Sequence, residues 1–275
     1  MEKDVISPGP AHIDQLKKYA DDLTKVYKSE KQKRKELKAA NRELQEAYLE
    51  IIHRLVLAAE YKDENTGDHI VRMSRYSALI AEKLGLQDKE VQDILCAAPM
   101  HDVGRIGIPD SILLKPAKLT DEEHKIMKTH TTIGAKILAN SKAKIIRLAQ
   151  IIAISHHEKW NGKGYTQGYS GEKIPQVGRI VALADAFDAI TSRRPYKDPY
   201  PVEVAFDIIK KERGQHFDPE AVDAFLKNTD GILKIKAEVG SVDDVDLADF
   251  TWSERYRADG TPEDLSPVDK ENRDE

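Results

Sequence analysis

Five of the nine histidines in this 275-residue chain occur, together with two aspartates, in a pattern that suits metal binding. Imidazole and carboxylate groups together favour borderline divalent ions such as iron, manganese, zinc or nickel. Three of the five histidines stand in apolar, helical contexts, where a charge is costly unless it is coordinated. A single histidine on a helix is more often structural, but the whole set predicts a metal centre. The seven candidate ligands are His69, His101, Asp102, His130, His156, His157 and Asp185.

Two pairs of neighbours stand out within this set. His101 and Asp102 are adjacent, and adjacent helical side chains point about 100° apart. Such a pair near a helix end can hold one ion from two directions, and the carboxylate can also bridge two ions. His156 and His157 lie where a helix meets a glycine-rich loop. Both of these histidines can therefore face one cavity.

The segments between the candidate ligands have the apolar spacing of helices. From about residue 51 to residue 228, apolar side chains recur at helical intervals, for example in Ile126–Ile133–Leu138. Gly85 and Asn140 stand where helices are expected to stop. Pro201 and Pro219 each suit a first helical turn. The sequence therefore predicts an all-α domain that brings its ligands together from several helices.

A long helix is predicted before this domain, because residues 11–58 contain neither glycine nor proline. Two heptad registers favour a parallel coiled-coil dimer, with Asn41 fixing the register and Glu30 and Arg34 interrupting the seam. A single solvated helix is the alternative, since residues 25–38 hold seven basic and two acidic side chains. One register is Leu16, Leu23, Leu37, Leu44 and Ile51, and the other is Ile13, Ala20, Tyr27, Asn41, Tyr48 and Leu55.

Composition narrows the class of protein and the compartment. The single cysteine, Cys96, rules out a disulfide framework and fits a reducing cytoplasm. The net charge of −5 gives no general reason to expect nucleic-acid binding. The sequence contains no run of 18 apolar residues, so no membrane span is predicted. The N-terminus does not resemble a signal peptide. We expect a cytoplasmic protein, with a sensor or receiver domain or protein as a conceivable upstream partner.

An ordered series of motifs resembles the HD-GYP family, a subgroup of the HD phosphohydrolase superfamily, over about residues 55 to 228. A bare His-Asp dipeptide would be a weak signal, but this series is specific. It consists of Asp63-x-x-Thr66-x-x-His69-x-x-Arg72, His101-Asp102-Val103-Gly104-Arg105, Lys115-Pro116, Met127-x-x-His130-x-x-x-Gly134, the stretch from His156 to Tyr165, Gly171 to Pro175, Ala184 to Ala189, Arg194-Pro195-Tyr196-Lys197 and Phe217-Asp218-Pro219.

The resemblance implies an HD-type helical bundle and a bacterial signalling phosphodiesterase. Together with the sequence pattern, it divides the chain into a signalling and dimerisation helix (1–54), a catalytic domain (55–235) and an acidic tail (236–275). It implies two divalent metal ions per chain, with iron as first choice and manganese, nickel or zinc as alternatives. The first ion would be held by His69, His101, Asp102 and Asp185, and the second by Asp102, His130, His156 and His157.

The implied substrate is cyclic di-GMP, hydrolysed by a metal-bridged hydroxide to linear pGpG, with GMP as a further product. His101, Asp102 and Arg105 are the implied catalytic residues. The expected substrate contacts are Arg105, Lys115, Tyr165, Arg194 and Lys197. Tyr165 could stack on guanine or form a hydrogen bond near the site.

Three positions depart from the family pattern. Thr166 replaces the proline of the Gly-Tyr-Pro signature, which puts the rigidity of that loop in doubt. Arg105 stands where lysine is usual, so a planar fork replaces a compact ammonium. Asp63 is its expected partner, and both a structural salt bridge and a catalytic role remain open for Arg105. Asn65 replaces a glutamate that helps some members hold a third metal. We therefore expect two metals and mainly the linear product.

Two other functions remain open on the sequence. A non-catalytic module that binds a cyclic dinucleotide is favoured by Thr166 and Arg105, whereas the complete ligand set argues against it. A phosphohydrolase acting on another nucleotide is compatible with the ligands alone. The Arg194–Lys197 segment and the glycine loop favour a cyclic dinucleotide.

Overall fold

The computed structural model describes residues 10–63, 67–192 and 198–240, and these residues are almost entirely helical. They contain no β-strand, only an isolated bridge between Arg213 and Phe217, which confirms the all-α class. The α-helices are α1 (Pro10–Glu60), α2 (Gly67–Lys83), α3 (Asp88–Ala97), α4 (Asp110–Leu113), α5 (Asp121–Lys128), α6 (His130–Ile137), α7 (Lys144–Ser155), α8 (Gln176–Thr191), α9 (Val202–Lys211), α10 (Pro219–Leu226) and α11 (Thr229–Gly240).

The chain divides into two compact units, residues 1–48 and 49–275. In the first unit every described side chain from residue 10 to residue 44 is exposed. The predicted seam shares this exposure: Leu23 and Leu37 are each 71% exposed. The long helix is confirmed, and its pairing with a second copy stays a prediction.

The second unit has its core around α2 and α8. The Phe187 ring on α8 packs edge-on against Tyr76 of α2, with ring centroids 5.3 Å apart, and against Phe225 of α10 at 5.0 Å. All three side chains are almost completely buried. Burial of a large apolar side chain contributes about 1.5–3 kcal/mol. This packing fixes the two helices that carry His69 and Asp185.

The last turns of α1 belong to the second unit. Leu49, Ile52 and Val56 are buried, whereas Ile51 and Leu55 are 59% and 64% exposed. The same stretch of helix thus buries one apolar stripe and leaves another, the continuation of the heptad seam, in contact with solvent.

Helix ends follow some of the sequence signals and not others. Gly85 and Asn140 have positive φ angles of 82° and 61°, as the predicted helix stops require. The pattern from Ile126 to Leu138 is not one helix, because α5 ends at Lys128 and α6 begins at His130. The spacing of apolar residues gives no sign of this break. Helix α11 runs across the domain boundary predicted after residue 235, and the predicted tail beyond residue 240 lies outside the described residues.

None of the helices described is at once long and apolar enough to cross a membrane.

Candidate metal centre

The turn that carries His101 and Asp102 is packed tightly against the start of α6. It follows a 3-10 helix at Ala98–Met100, and both side chains are buried. A Cβ atom at Gly104 would lie 1.9 Å from the carbonyl oxygen of His130 and 2.4 Å from the backbone nitrogen of Gly134. Only glycine permits this approach. The contact brings His130 beside Asp102.

All seven candidate ligands lie in two adjacent groups. Within each group one ligand atom from every member lies within 4.8 Å of the others. The first ligand group is His69, His101 and Asp185, and the second ligand group is Asp102, His130, His156 and His157. The members come from α2, the turn after Ala98–Met100, the start of α6, the end of α7 and α8.

Asp102 joins the two groups through its two carboxylate oxygens. Its Oδ2 atom lies 3.1 Å from Nε2 of His101, in the first ligand group. Its Oδ1 atom lies 3.1 Å from Nε2 of His130 and 3.5 Å from Nε2 of His156. A carboxylate in this position can give one oxygen to each of two ions.

The tautomers of three histidines are set by backbone carbonyls. The Nδ1 atom of His101 lies 3.1 Å from the Ala98 oxygen, that of His130 lies 2.8 Å from the Met127 oxygen, and that of His156 lies 3.1 Å from the Ile152 oxygen. A carbonyl can only accept, so each Nδ1 must carry the proton. In this tautomer a neutral ring directs the lone pair of Nε2 inward, as metal ligation requires.

Buried ligand atoms of the second group lie close together around Asp102. Among the described residues, Nε2 of His130, Nε2 of His156 and Oδ1 of Asp102 make no hydrogen bond although all three atoms are buried. Three acceptors so close together repel one another unless a cation lies between them. The donor set of imidazoles and carboxylates therefore fits a divalent metal.

The charge states also suit metal binding. Burial lowers the pKa of His156, and burial together with the neighbouring His156 holds the pKa of His157 well below its usual range. Burial opposes ionisation of Asp102, but the surrounding histidines hold the pKa of its carboxyl well below the usual range. Metal ligands must be neutral imidazoles and ionised carboxylates, and the directions of these pKa shifts favour those states for His156, His157 and Asp102.

A family model described as HD domain matches residues 54–221, more than half of the chain. The chain belongs to the HD domain family. This result confirms the superfamily resemblance drawn from the motifs.

The HD domain has relatives of named function. It is 49% identical over 185 residues to a cyclic di-GMP phosphodiesterase of Thermotoga maritima, covering 67% of this chain and 50% of that protein. It is 46% identical over 191 residues to the cyclic di-GMP phosphodiesterase response regulator RpfG of Xanthomonas campestris pv. campestris, covering 70% and 50%. The chain thus spans about half the length of these curated relatives.

A solved structure shares the fold. A cyclic GMP-AMP specific phosphodiesterase of Vibrio cholerae matches with a TM-score of 0.56 at 19% identity, covering 79% of this chain and 56% of that one.

Sequence reasoning missed two residues that orient His69 of the HD domain. The Nδ1 atom of His69 lies 2.8 Å from Oδ2 of Asp188, and Arg72 Nε donates to Oδ1 of Asp188 at 2.6 Å. Asp188 is fully buried; burial opposes its ionisation, but His69 and Arg72 hold its pKa well below the usual range. The spacing contains a signal, since Arg72 and Asp188 each follow a candidate ligand by three residues and so share its helix face.

Arg105 lies beside the candidate metal centre of the HD domain. Its Nη2 atom is 2.6 Å from Oδ2 of Asp102. The expected partner, Asp63, has a side chain outside the described residues. Arg105 therefore contacts the carboxylate that joins the two ligand groups.

Lys115 is engaged away from the ligands. Its Nζ atom lies 2.6 Å from a carboxylate oxygen of Glu123, which also accepts from the backbone of Thr120 in the capping box of α5. A substrate contact by Lys115 would compete with this ion pair. Asn65, Arg194 and Lys197 lie outside the described residues, so the predictions made for them stay predictions.

Tyr165 stacks on His157 of the second ligand group. The ring centroids are 4.8 Å apart with an interplanar angle of 27°, and Lys128 Nζ lies 5.2 Å from the Tyr165 ring centroid. Burial raises the pKa of the Tyr165 hydroxyl, so it remains a hydrogen-bond donor at neutral pH. The Tyr165 ring thus lies against His157 and Lys128, and its predicted substrate contact stays a prediction.

Proposed function

We propose that this HD domain is a metal-dependent phosphodiesterase that hydrolyses cyclic di-GMP to linear pGpG, with GMP as a slower further product. The observation that carries the proposal is Asp102, whose two oxygens face the two ligand groups separately. Such a carboxylate suits a pair of divalent ions. The names of two relatives, at 49% and 46% identity, support the choice of cyclic di-GMP.

The ligand roles proposed are those implied by the family resemblance. His69, His101, Asp102 and Asp185 would hold the first ion, and Asp102, His130, His156 and His157 the second. A nitrogen-rich set with carboxylates suits iron, and it also accepts manganese, nickel or zinc. When bound, two such ions activate water at neutral pH and offset negative charge on phosphate.

The protein groups around the ligands have separate tasks. The carbonyls of Ala98, Met127 and Ile152 hold the histidines in the tautomer that presents Nε2. Arg105 supplies a permanent positive charge next to Asp102, where it can also approach a phosphate oxygen. The protonated hydroxyl of Tyr165 can donate a hydrogen bond to the nucleotide. Arg194 and Lys197 remain proposed phosphate contacts.

Metal content and product analysis test the proposal together. The protein is purified without oxygen, its metal is measured per chain, and the same sample is incubated with cyclic di-GMP. Two ions per chain and mainly pGpG are expected, because Asn65 is a poor ligand for a third ion. Three ions with rapid GMP release would keep the enzyme class and contradict the Asn65 argument. Full metal content with intact cyclic di-GMP would favour a binding module or another nucleotide substrate.

A histidine pair provides the matched control. His130→Ala removes a member of the second ligand group, whereas His124→Ala removes an exposed histidine of α5 that lies outside both groups. Loss of hydrolysis and of about one metal is expected for His130→Ala alone. Equal losses in both variants would contradict the ligand assignment.

We also propose that a second copy of the chain covers the exposed heptad stripe of α1, and that the protein acts in the cytoplasm. A sensor or receiver domain is a proposed partner through the same helix. Leu23→Glu with Leu37→Glu should give a monomer in sedimentation experiments, because both side chains lie on the seam. Ala39→Glu, at an outer heptad position, should leave the mass unchanged. A monomeric wild-type chain would contradict this assembly.

A further inference from the structure

The loop that carries Tyr165 is tied to α6 by a pair of hydroxyl groups. The Oγ1 atoms of Thr166 and Thr131 are hydrogen-bonded to each other across 35 positions of sequence. Thr131 is completely buried and directly follows His130, a member of the second ligand group. The contact therefore joins a loop residue to the helix start that presents a candidate ligand.

The direction of this hydrogen bond follows from the second partner of Thr131. Its hydroxyl donates to the carbonyl oxygen of Lys128 at 3.0 Å. A hydroxyl has a single proton and can accept further bonds. Thr131 must therefore accept from Thr166, and the donors run in one chain from Thr166 through Thr131 to the end of α5. Bonds linked in this way reinforce one another.

A buried carboxylate holds the next two residues of the loop. Oε1 of Glu158, which is 2% exposed, accepts from the backbone nitrogens of Gln167 at 2.5 Å and Gly168 at 3.1 Å. The backbone nitrogen of Tyr165 donates to the His157 carbonyl at 3.1 Å. Four consecutive residues are thus each anchored by a hydrogen bond, and only that of Thr166 reaches α6.

The anchored loop has a defined place beside the second ligand group. Its Tyr165 ring lies 4.8 Å from the His157 ring and 6.5 Å from the His130 ring, measured between centroids. A Cβ atom at Gly164 would lie 2.3 Å from the backbone nitrogen of Lys159. The loop backbone is therefore packed directly against the segment that follows the two histidines.

We propose that Thr131 and Thr166 form a latch that holds Tyr165 against the second ligand group. Threonine leaves its own φ angle free, unlike the proline it replaces in the motif, and the latch restores that lost restraint through a tertiary hydrogen bond. Both threonines are positioning residues that act through Tyr165. The effect on catalysis rests on the proposed phosphodiesterase function, whereas the effect on the loop does not.

Hydrogen exchange at the backbone nitrogens of Tyr165, Gln167 and Gly168 tests the latch without substrate. Exchange of such groups reports the local opening equilibrium. Thr166→Val and Thr131→Val should each speed exchange about fivefold, the effect of one ordinary hydrogen bond. The double variant should be no faster than either single variant. Thr166→Ser keeps the hydroxyl and should retain slow exchange.

A neighbouring threonine supplies the matched control. Thr132 donates to the Thr129 carbonyl at 2.8 Å, so Thr132→Val removes the same kind of bond one position along α6. In Thr132→Val, hydrogen exchange at the loop backbone nitrogens should be as slow as in the wild type. Unchanged exchange in Thr166→Val, additive effects in the double variant, or an equal effect of Thr132→Val would each overturn the latch.

Activity separates this proposal from the proposed function. If the wild type hydrolyses cyclic di-GMP, Thr166→Val should raise KM more than it lowers kcat, and Thr166→Ser should not. If the wild type leaves the nucleotide intact while the exchange pattern holds, the phosphodiesterase function is wrong and the latch stands.

Discussion

The two ligand groups are built from similar side chains but are held in place by different means. In the first ligand group, the Nδ1 atom of His69 faces a buried carboxylate, Asp188, which Arg72 also binds. In the second ligand group, His130 and His156 donate to backbone carbonyls. His69 is therefore oriented by a charged partner, whereas His130 and His156, like His101 of the first group, are oriented by backbone carbonyls. The two groups should respond differently to substitution and to pH.

A substitution of Asp102 should affect both ligand groups alike, because its two oxygens face both groups. Asp102→Asn keeps the shape and removes the charge. Metal binding by both groups should weaken by more than the roughly 100-fold that loss of an outer partner costs, and hydrolysis should fall with it. Metal analysis after dialysis measures the first effect. Retention of one full metal would mean that Asp102 serves a single group.

A substitution of Asp188 should weaken metal binding at the first ligand group only. Asp188→Asn removes the carboxylate behind His69 but keeps an acceptor for Arg72. Affinity at the first ligand group should fall about 10–100-fold, the usual cost of losing a second partner of a ligand histidine, while the second group is unchanged. Cobalt titration followed by absorption resolves the two binding phases. Equal losses of cobalt affinity in both binding phases would contradict the difference between the two ligand groups.

The same variant should also lower stability. Arg72 is 8% exposed, and a buried charge that loses its partner is costly, about 3–5 kcal/mol when the pair is broken completely. The retained amide oxygen should keep the loss below that range. Thermal unfolding of the metal-free protein measures it, and the cobalt titration is then run well below the midpoint.

Substitution of Gly104 should affect the second ligand group most directly. In Gly104→Ala the new Cβ meets backbone atoms of His130 and Gly134, which cannot rotate away. Overpacking of this kind costs about 1–3 kcal/mol, and displacement of α6 should weaken the second cobalt phase. Gly107→Ala is the control, because the three atoms nearest to its Cβ all belong to the Ile133 side chain. Similar losses in both variants would mean that the backbone contact is unimportant.

The sequence was sufficient for the helical class, and the seven candidate ligands named from it all lie in the two ligand groups. Those residues lie in short motifs whose spacing can be recognised from the sequence alone. The supports of His69 were harder to find, since Asp188 lies 119 positions away and gains its role only when α2 packs against α8. The same limit applies to Thr166, which was expected to loosen its loop. Its hydroxyl is hydrogen-bonded to that of Thr131, and no local pattern connects the two.

Other differences arise from competition between local interactions. Lys115 stays a predicted substrate contact, and the capping box of α5 places Glu123 beside it. Thr120 followed three residues later by glutamate is a readable helix-start signal, so this pairing could have been anticipated. The break between α5 and α6 at Thr129 could not have been anticipated, because apolar spacing continues through it. That break puts His130 at a helix start, where its ring reaches Asp102.

The smallest predicted effect is a difference in pH dependence between the two groups. Burial alone would lower the pKa of His69, but Asp188 outweighs it and raises that pKa. The pKa values of His156 and His157 are lowered. A histidine must lose its proton to bind metal. Protons therefore compete at His69 already above its ordinary pKa of about 6.5, whereas they compete at His156 and His157 only below it.

Cobalt titrations at pH 8, 7 and 6 measure this competition. Affinity at the first ligand group should fall as the pH is lowered through this window, by at most about tenfold per pH unit for one displaced proton. The second group should change less. In Asp188→Asn the pKa of His69 loses the influence that raises it, so the pH dependence of the first group should flatten even as its affinity falls. A slope that stays the same would show that Asp188 holds the ring of His69 without setting its charge.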